Sequence, residues 1–341
     1  MYRYPFTPFP NGWYRVAYSE EVLKGALKRV KYLNQDLLIF RGQDGKANII
    51  DAYCPHLGAD LGVNGKVIEN TVACPFHGWR FDGEGDCVEI PYCSSIPKKA
   101  KLRSWPVLEQ DGVIMFWYHA ENKAPEFTIP DGPFRKNAKW NRPLHFSWRV
   151  RMHIQEVAEN AVDTSHFPVV HAYANLPEIK NLDTNGPTFT VKLEAQRFGL
   201  NFIGKSPMTI SYTGMGIVHA NLTTKLFGRL PVELSVILTT TPIDEEHCEI
   251  KIKARHRKSW NPLWDLLLRP MMKKEIATDF ESDIPIWEAK KYYKNPALCK
   301  DDGPIGAIRK WAKQFYSEYQ SANSSDVSLR HIQIIKMPEA A

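Results

Sequence analysis

Two short stretches, "CPHLG" at residues 54–58 and "CPFHGWRFD" at residues 74–82, decide how this chain is read. Cys54 precedes His56 by two positions, Cys74 precedes His77 by three, and seventeen residues separate the pairs. Proline and glycine give both stretches a turn-like setting, so two facing loops can each offer one thiolate and one imidazole to a compact site. A Cys2His2 zinc ion and a [2Fe–2S] cluster held by two cysteines and two histidines are the candidates. Zinc fingers of that composition pair cysteine with cysteine on a hairpin and histidine with histidine on a helix. Here each loop carries one of each within strand-rich text, and the iron–sulfur reading follows. Any one of these residues alone would be read as a packed side chain; four in this pattern argue against that.

The surrounding text, from about Trp13 to Tyr118, reads as short strands broken by Gly, Asn and Asp, including "DLLIFRG", "KANIIDAY" and "GVIMFWY". This predicts a small all-β domain over residues 1–125. The segment "HAENKAPEFTIPDGPFRKNAKWNRP" is polar, rich in Pro and Lys and without periodicity, and reads as a linker. A second domain, 126–341, opens with a helix expected over about 147–166. It continues with period-2 runs such as "FTVKLEA", "LNFIGK", "MTISYTG" and "LSVILTTTP", and closes with helices at about 261–292, interrupted by Pro270 and Pro285, and 304–321. Helices packed on an antiparallel sheet make this an α+β domain.

Bulk properties narrow the class. With 341 residues and 43% hydrophobic side chains, the chain can bury substantial cores, and no apolar run is long enough to span a bilayer. The aromatic, proline-rich start "MYRYPFTPFPNGWY" lacks the pattern of a secretory signal, which makes a cytoplasmic protein the expectation. The net charge of +6 comes mostly from scattered residues without a nucleic-acid reader motif, and a weakly basic docking face for an acidic protein partner fits the charge equally well. Six unevenly spread cysteines do not suggest a disulfide framework. Cys87 and Cys93 have no partner spacing, and His119, His145, His153 and His219 are read as structural.

Downstream, "ENAVDTSHFPVVH" at residues 159–171 contains the pattern D-x-x-H-x-x-x-x-H, from Asp163 through His166 to His171. Two imidazoles and one carboxylate form the facial triad of non-heme Fe(II) oxygenases, which leaves positions for O2. On a regular helix, residues five apart diverge by about 140° at about 100° per residue. Pro168 is therefore expected to end or widen the helix as a π-like turn that brings His166 and His171 together. The third ligand must come from elsewhere, and "ATDFESDIPIWEAKKYY" offers Asp279, Glu281 and Asp283 on the late helix. An exposed acidic helix face is the plain alternative.

The first two loops, with Gly58, Gly78, Trp79 and Phe81, resemble the cluster loops of Rieske proteins. The resemblance implies that Cys54 and Cys74 hold one iron and that His56 and His77 hold the other. Respiratory Rieske proteins carry an extra cysteine in each loop, where this chain has Ala59 and Phe76, which points to the low-potential oxygenase or ferredoxin branch. The Asp163–His171 pattern, preceded by Asn160, is similar to that of Rieske oxygenase α subunits. By this resemblance His166 and His171 are iron ligands, Asn160 lies near the iron, and Asp163 bridges a cluster histidine of a neighbouring subunit to an iron ligand in a homotrimer. An aspartate four residues before a tryptophan, here Trp287, favours Asp283 as third ligand, with Asp279 as the fallback. The stretch "NPALCKDDGPIGAIRKWAKQFY", residues 295–316, looks like the C-terminal region of the 3-ketosteroid 9α-hydroxylase and cholesterol 7-desaturase group.

What this implies is a terminal oxygenase: an N-terminal Rieske domain followed by a helix-grip catalytic domain. A [2Fe–2S] cluster, Fe(II) and O2 would be used, with electrons from NAD(P)H through a ferredoxin or flavin reductase. Hydroxylation of an apolar, steroid-like or polycyclic substrate leads; oxidative demethylation and desaturation need only a different C–H geometry. A Rieske electron carrier with a binding domain, or a non-catalytic metal regulator, are the readings of other classes.

Overall fold

The structure is a computed structural model and describes residues 3–4, 9–132, 139–171, 173–198 and 203–317. Expectations that fall beyond 317, including the end of the last helix and the tail 322–341, lie outside the described residues.

The N-terminal part carries ten strands: β1 (Gly12–Tyr18), β2 (Leu27–Tyr32), β3 (Gln35–Arg41), β4 (Ala47–Asp51), β5 (Lys66–Ile68), β6 (Thr71–Ala73), β7 (Arg80–Phe81), β8 (Cys87–Glu89), β9 (Val107–Gln110) and β10 (Val113–Tyr118). They form three antiparallel sheets, ordered β1-β10-β9, β2-β3-β4 and β5-β6-β7-β8. The β5–β8 sheet and the segments beside it enclose a small core of Leu38, Phe40, Leu61, Val72, Phe81 and Leu102, into which Cys54 and Cys74 are also buried. The all-β expectation holds here. The near-continuous apolar run "VIMFWY" of β10 is buried along most of its length, as a strand covered on both faces must be.

The second part carries β11 (Leu144–Val150), α1 (Gln155–Asn160), α2 (Phe167–Val170), β12 (Glu178–Asn185), β13 (Thr188–Phe198), β14 (Ile203–Thr213), β15 (Ile217–Leu226), β16 (Leu230–Pro242), β17 (Cys248–His256), α3 (Pro262–Ala289) and α4 (Ile305–Ala312). Seven strands make one antiparallel sheet in the order β11-β17-β16-β15-β14-β13-β12. The long helix α3 lies against it, with Leu268 and Met272 packed on Val232, Leu234 and Ile252. This is the helix-grip arrangement of an α+β domain.

Three expectations need correction. The helix predicted over 147–166 is a strand as far as Val150, paired with β17, and helical only over Gln155–Asn160. "LHFSWRV" alternates, with Leu144, Phe146 and Val150 buried and His145, Ser147 and Arg149 exposed or half-buried, and that period of two outweighs helix-forming composition. Secondly, α3 runs unbroken through Pro270 and Pro285, both exposed, on the face where freed carbonyls reach water. Thirdly, "LNFIGK" and "MTISYTG" are not two strands: Ile203–Thr213 is one, held between β13 and β15.

The two parts are tied through β1. Arg15, fully buried, reaches the carboxylate of Glu249 and donates to the hydroxyls of Tyr32 and Thr239 at 3.2 Å each, while Thr241 Oγ1 donates to the Arg15 carbonyl at 2.9 Å. A buried guanidinium needs this many acceptors to offset its desolvation.

Candidate metal centres

The two cysteine–histidine loops are built alike. In the first, the Cys54 amide donates to the Ala59 carbonyl at 2.8 Å and the Gly58 amide to the Cys54 carbonyl at 2.9 Å; in the second, Cys74 donates to Trp79 at 2.8 Å and Gly78 to Cys74 at 3.1 Å. Gly58 and Gly78 both take φ +75°, the left-handed region that lets each loop close. Sequence spacing of two and three thus becomes one repeated hairpin with its thiol buried and its imidazole half-buried.

The imidazoles face each other with ring centroids 4.7 Å apart, and His56 stacks on Trp79 at 4.5 Å and 7°. Trp79 is held by its Nε1–H donating to the Tyr92 hydroxyl at 2.8 Å. The Nδ1 atoms of His56 and His77 are buried with no hydrogen-bond partner, which is costly for a ring nitrogen unless something else takes its lone pair. Burial pushes the Cys54 thiol up to about 12, the Cys74 thiol beside it adding to the rise. Only a neighbouring cation makes a thiolate favourable in such a place. Buried thiols and orphaned imidazole nitrogens facing one another fit a cationic iron–sulfur group.

The second centre forms around α2. His166 caps this one-turn helix at its start and His171 at its end, with Pro168 in the first turn. The Val170 amide donates to the His166 carbonyl at 2.8 Å and the His171 amide to the Phe167 carbonyl at 3.0 Å, both ordinary α-helical bonds. The proline therefore begins a new short helix and makes no π-like turn. It suits that place because the first-turn amides have no helical partner to lose. The histidines stand at the two ends of this single turn, and their side chains reach toward each other across it.

His166 Nε2 lies 3.2 Å from His171 Nε2, and Asp283 Oδ1 lies 3.3 Å from the His171 nitrogen and 3.8 Å from the His166 nitrogen. Among the described residues this is the trio whose donor atoms all lie within 4.8 Å of one another. Bonds of about 2.1 Å to one ion separate adjacent donors by about 3 Å, so the set fits a single metal. Asp283 is 5% exposed, and three lone pairs aimed at one point repel unless a cation lies between them.

Around the trio, Asn160 Nδ2 donates to Asp283 Oδ2 at 3.1 Å, leaving the other carboxylate oxygen on the histidines. Asp163 Oδ1 stands 3.7 Å from His166 Nδ1 and accepts from Ser165 Oγ at 2.7 Å. Burial raises the Asp163 carboxyl, but His166 and the Ser165 hydroxyl outweigh it and hold the group below its usual range. Asp279 lies elsewhere, on the wall of a cavity with Tyr173, Met208, Leu222, Met272 and Ile276. Glu281 is exposed and accepts from Trp148 Nε1 of β11 at 3.1 Å.

Sequence reasoning missed what holds α1 in place. Glu159, 4% exposed, takes a two-pronged bond from Arg309 of α4 at 2.9 and 2.8 Å, and buried Glu156 meets Lys290 just after α3 at 2.5 Å. Gly303, at φ +79°, packs so close that a Cβ there would stand 2.1 Å from the Val162 carbonyl. No local spacing signals such pairs; only "EVAEN", two acids on a buried helix, hinted that cations must come from afar.

Residues 12–106 match the Rieske [2Fe-2S] domain, and residues 116–316 match the 3-ketosteroid 9α-hydroxylase C-terminal domain. The chain belongs to the Rieske oxygenases of the 3-ketosteroid 9α-hydroxylase and cholesterol 7-desaturase group. Cholesterol 7-desaturase nvd 1 of Ciona intestinalis is 35% identical, with 91% of this chain and 69% of that protein covered. The cholesterol 7-desaturase of Caenorhabditis elegans is 34% identical over 94% and 80%. A probable 3-ketosteroid-9-alpha-monooxygenase oxygenase component of Rhodococcus rhodochrous is 30% identical over 92% and 81%. In structure, dicamba monooxygenase bound to dicamba superposes with a TM-score of 0.73 at 19% identity, covering 92% of this chain and 98% of that one. NdmA of Pseudomonas putida CBB5 with caffeine gives 0.72 at 20% identity over 92% and 91%; both likenesses speak to the fold.

This Rieske oxygenase is therefore an oxidoreductase, the terminal oxygenase component of its system. Its cofactors are a [2Fe–2S] cluster and a non-heme iron, O2 is its co-substrate, and NAD(P)H-derived electrons arrive through ferredoxin or reductase partners. No described helix is long and apolar enough to cross a membrane.

Proposed function

We propose that this oxygenase hydroxylates an apolar, steroid-like or polycyclic substrate. The observation that carries the proposal is a largely apolar cavity whose lining includes Tyr173 and Asp279, near neighbours of the trio in sequence. It lies between β14–β16 and α3, partly open to solvent, and six of its eleven lining residues are Met, Leu, Val or Ile, with Ser206, Thr224, Glu275 and Asp279 as polar members. Tyr173 and Asp279 line it, the first two residues beyond His171, the second one helical turn before Asp283. The names of the curated relatives, steroid-acting enzymes all, support the same substrate class.

In this reading Cys54 and Cys74 hold one iron of the cluster, His56 and His77 the other, and His166, His171 and Asp283 hold the mononuclear iron. With metals bound, the cluster supplies single electrons and the mononuclear iron activates O2. The protein's own work is positional. Asn160 fixes the face that Asp283 presents, α2 fixes the two imidazoles, and the apolar wall excludes water from the reacting carbon. Asp163, with 34% of its side chain exposed, can orient His166 with one oxygen and offer the other to a histidine of a neighbouring subunit. Leu57 and Phe76, 67% and 62% exposed beside the cluster histidines, suit the matching half of a homotrimer contact. The domain boundary near residue 125 and a cytoplasmic location belong to the same proposal; fractionation tests the second.

Oxygen uptake with a surrogate reductase, across steroids, small aromatics and N- or O-methyl compounds, tests the reading. The expected result is uptake coupled to a steroid product with one oxygen added; loss of two hydrogens would identify desaturation instead. Coupling confined to small aromatics overturns the substrate class. About three iron atoms per chain are expected, whereas about two would mark an electron carrier.

A further inference from the structure

Trp260, Leu263, Leu266 and Leu267 form an apolar face at the start of α3, with exposures of 85%, 68%, 68% and 57%. The opposite side of the same turns is buried, with Leu268 against the sheet, so this stretch is apolar nearly all round, a pattern that goes with cover on every side. Phe227 and Leu230, 52% and 42% exposed at the β15–β16 turn, lie at the same edge of the domain. The register shows why: Leu234 pairs with His256, so β16 begins where β17 ends and feeds α3. Around this apolar edge stand Lys225, Arg229, Lys258, Lys273 and Lys274, all exposed and none in an ion pair among the described residues. The nearby acids are engaged, Glu233 with Arg257 and Asp265 with His256 and the Ser259 amide.

We infer that this edge is a membrane-docking surface, which seats Trp260 and the leucines in the acyl boundary of an anionic bilayer while the five free cations meet its headgroups. Tryptophan and leucine beside unpaired lysines are the chemistry of a helix that lies in an interface. A protein partner's complementary surface would be expected to supply carboxylates and a groove, whereas these cations ring an apolar edge that projects outward. The arrangement also has a consequence for supply. Met272 and Ile276, which line the cavity, follow Leu267 by five and nine residues on the same helix. At 1.5 Å per residue that is about 7 to 14 Å from the docked surface. An apolar substrate dissolved in the bilayer thus has a short path along α3 to the cavity, a consequence that rests on the substrate class proposed above. The docking itself does not.

Flotation of the iron-loaded enzyme with vesicles of phosphatidylcholine alone, and with phosphatidylglycerol added, tests the docking without any substrate. The expected result is flotation with the anionic vesicles, weakened by salt, and at least ten-fold less for Leu266→Asp combined with Leu267→Asp. Trp260→Ser, a milder change at an 85% exposed site, should also reduce it. Absence of flotation by the unaltered enzyme, or equal flotation by the variants, overturns the inference. So does a changed oligomeric state in the variants, which would make this edge a contact between copies. Lowered turnover of vesicle-borne but not detergent-dissolved substrate would then establish the supply route.

Discussion

Asn160 Nδ2 donates to Asp283 Oδ2 at 3.1 Å, linking the end of a six-residue helix to a carboxylate 123 residues later in the chain. The bond decides which oxygen of Asp283 faces the two imidazoles. It also gives Asn160 a place at the trio through Asp283.

Asn160→Ala should leave the fold intact and free the carboxylate to rotate. Loss of such an orienting partner lowers metal affinity or activity by about 10–100-fold. Iron titration into the apo-protein, with turnover measured at saturating iron, checks this; unchanged affinity and turnover would remove Asn160 from the site.

Asp163→Asn should retain both iron centres and lose about 10–100-fold in turnover, because under the proposed bridging role the amide can no longer accept from two imidazoles at once. Iron counting, the cluster's spectrum and single-turnover rates separate the two effects. A variant that loses iron in proportion to activity would show that Asp163 only supports His166.

The Glu159–Arg309 pair is buried on the carboxylate side and two-pronged, so removing one partner strands a charge. Arg309→Met should destabilise the protein by about 3–5 kcal/mol, and adding Glu159→Gln should restore part of that. Thermal unfolding of the two variants reads the difference, and iron retention should fall with α1's position.

Glu249 supplies a pH prediction. Burial raises its carboxyl, but Arg15, the Tyr32 hydroxyl and Lys251 outweigh it and depress the group in the folded protein. A depressed carboxyl adds stability above its unfolded pKa, and that contribution disappears as pH falls through the lower folded value. Unfolding free energy should therefore drop on acidification below about pH 4.5, near the ordinary glutamate value. Glu249→Gln should be less stable at neutral pH and show a shallower acid slope.

Gly303→Ala combines a φ of +79° with a Cβ placed 2.1 Å from the Val162 carbonyl. The strain should cost at least about 1–3 kcal/mol and displace the loop that carries Asp163. Turnover should fall further than stability alone explains, which activity at a temperature well below the melting point reveals.

Residues close in sequence made the cluster loops legible: a two- or three-residue spacing with proline and glycine admits few conformations, so Cys54, His56, Cys74 and His77 could be grouped before any fold was known. The histidines of the second centre were legible for the same reason, although their geometry was misjudged. Pro168 reads as a breaker when the preceding text is taken as one helix, and as a helix start once the chain between Asn160 and His166 is seen to turn. The strand Leu144–Val150 was lost because its alternation sits beside helix-forming residues, and only pairing with β17 settles such a conflict.

By itself, the sequence determined the chemistry available: which thiols and imidazoles sit in tight turns, and that two histidines share a short segment with a carboxylate. Among the three acids on α3, the residues alone leave the choice open and resemblance only favours Asp283; the tertiary structure brings Asp283 to those histidines, because helical phase buries it while Glu281 stays exposed. It also decided the Glu159–Arg309 and Arg15–Glu249 pairs and the exposed apolar edge of α3. Each depends on surfaces brought together from more than a hundred residues apart or left uncovered by packing, and no local spacing records where a distant surface will end.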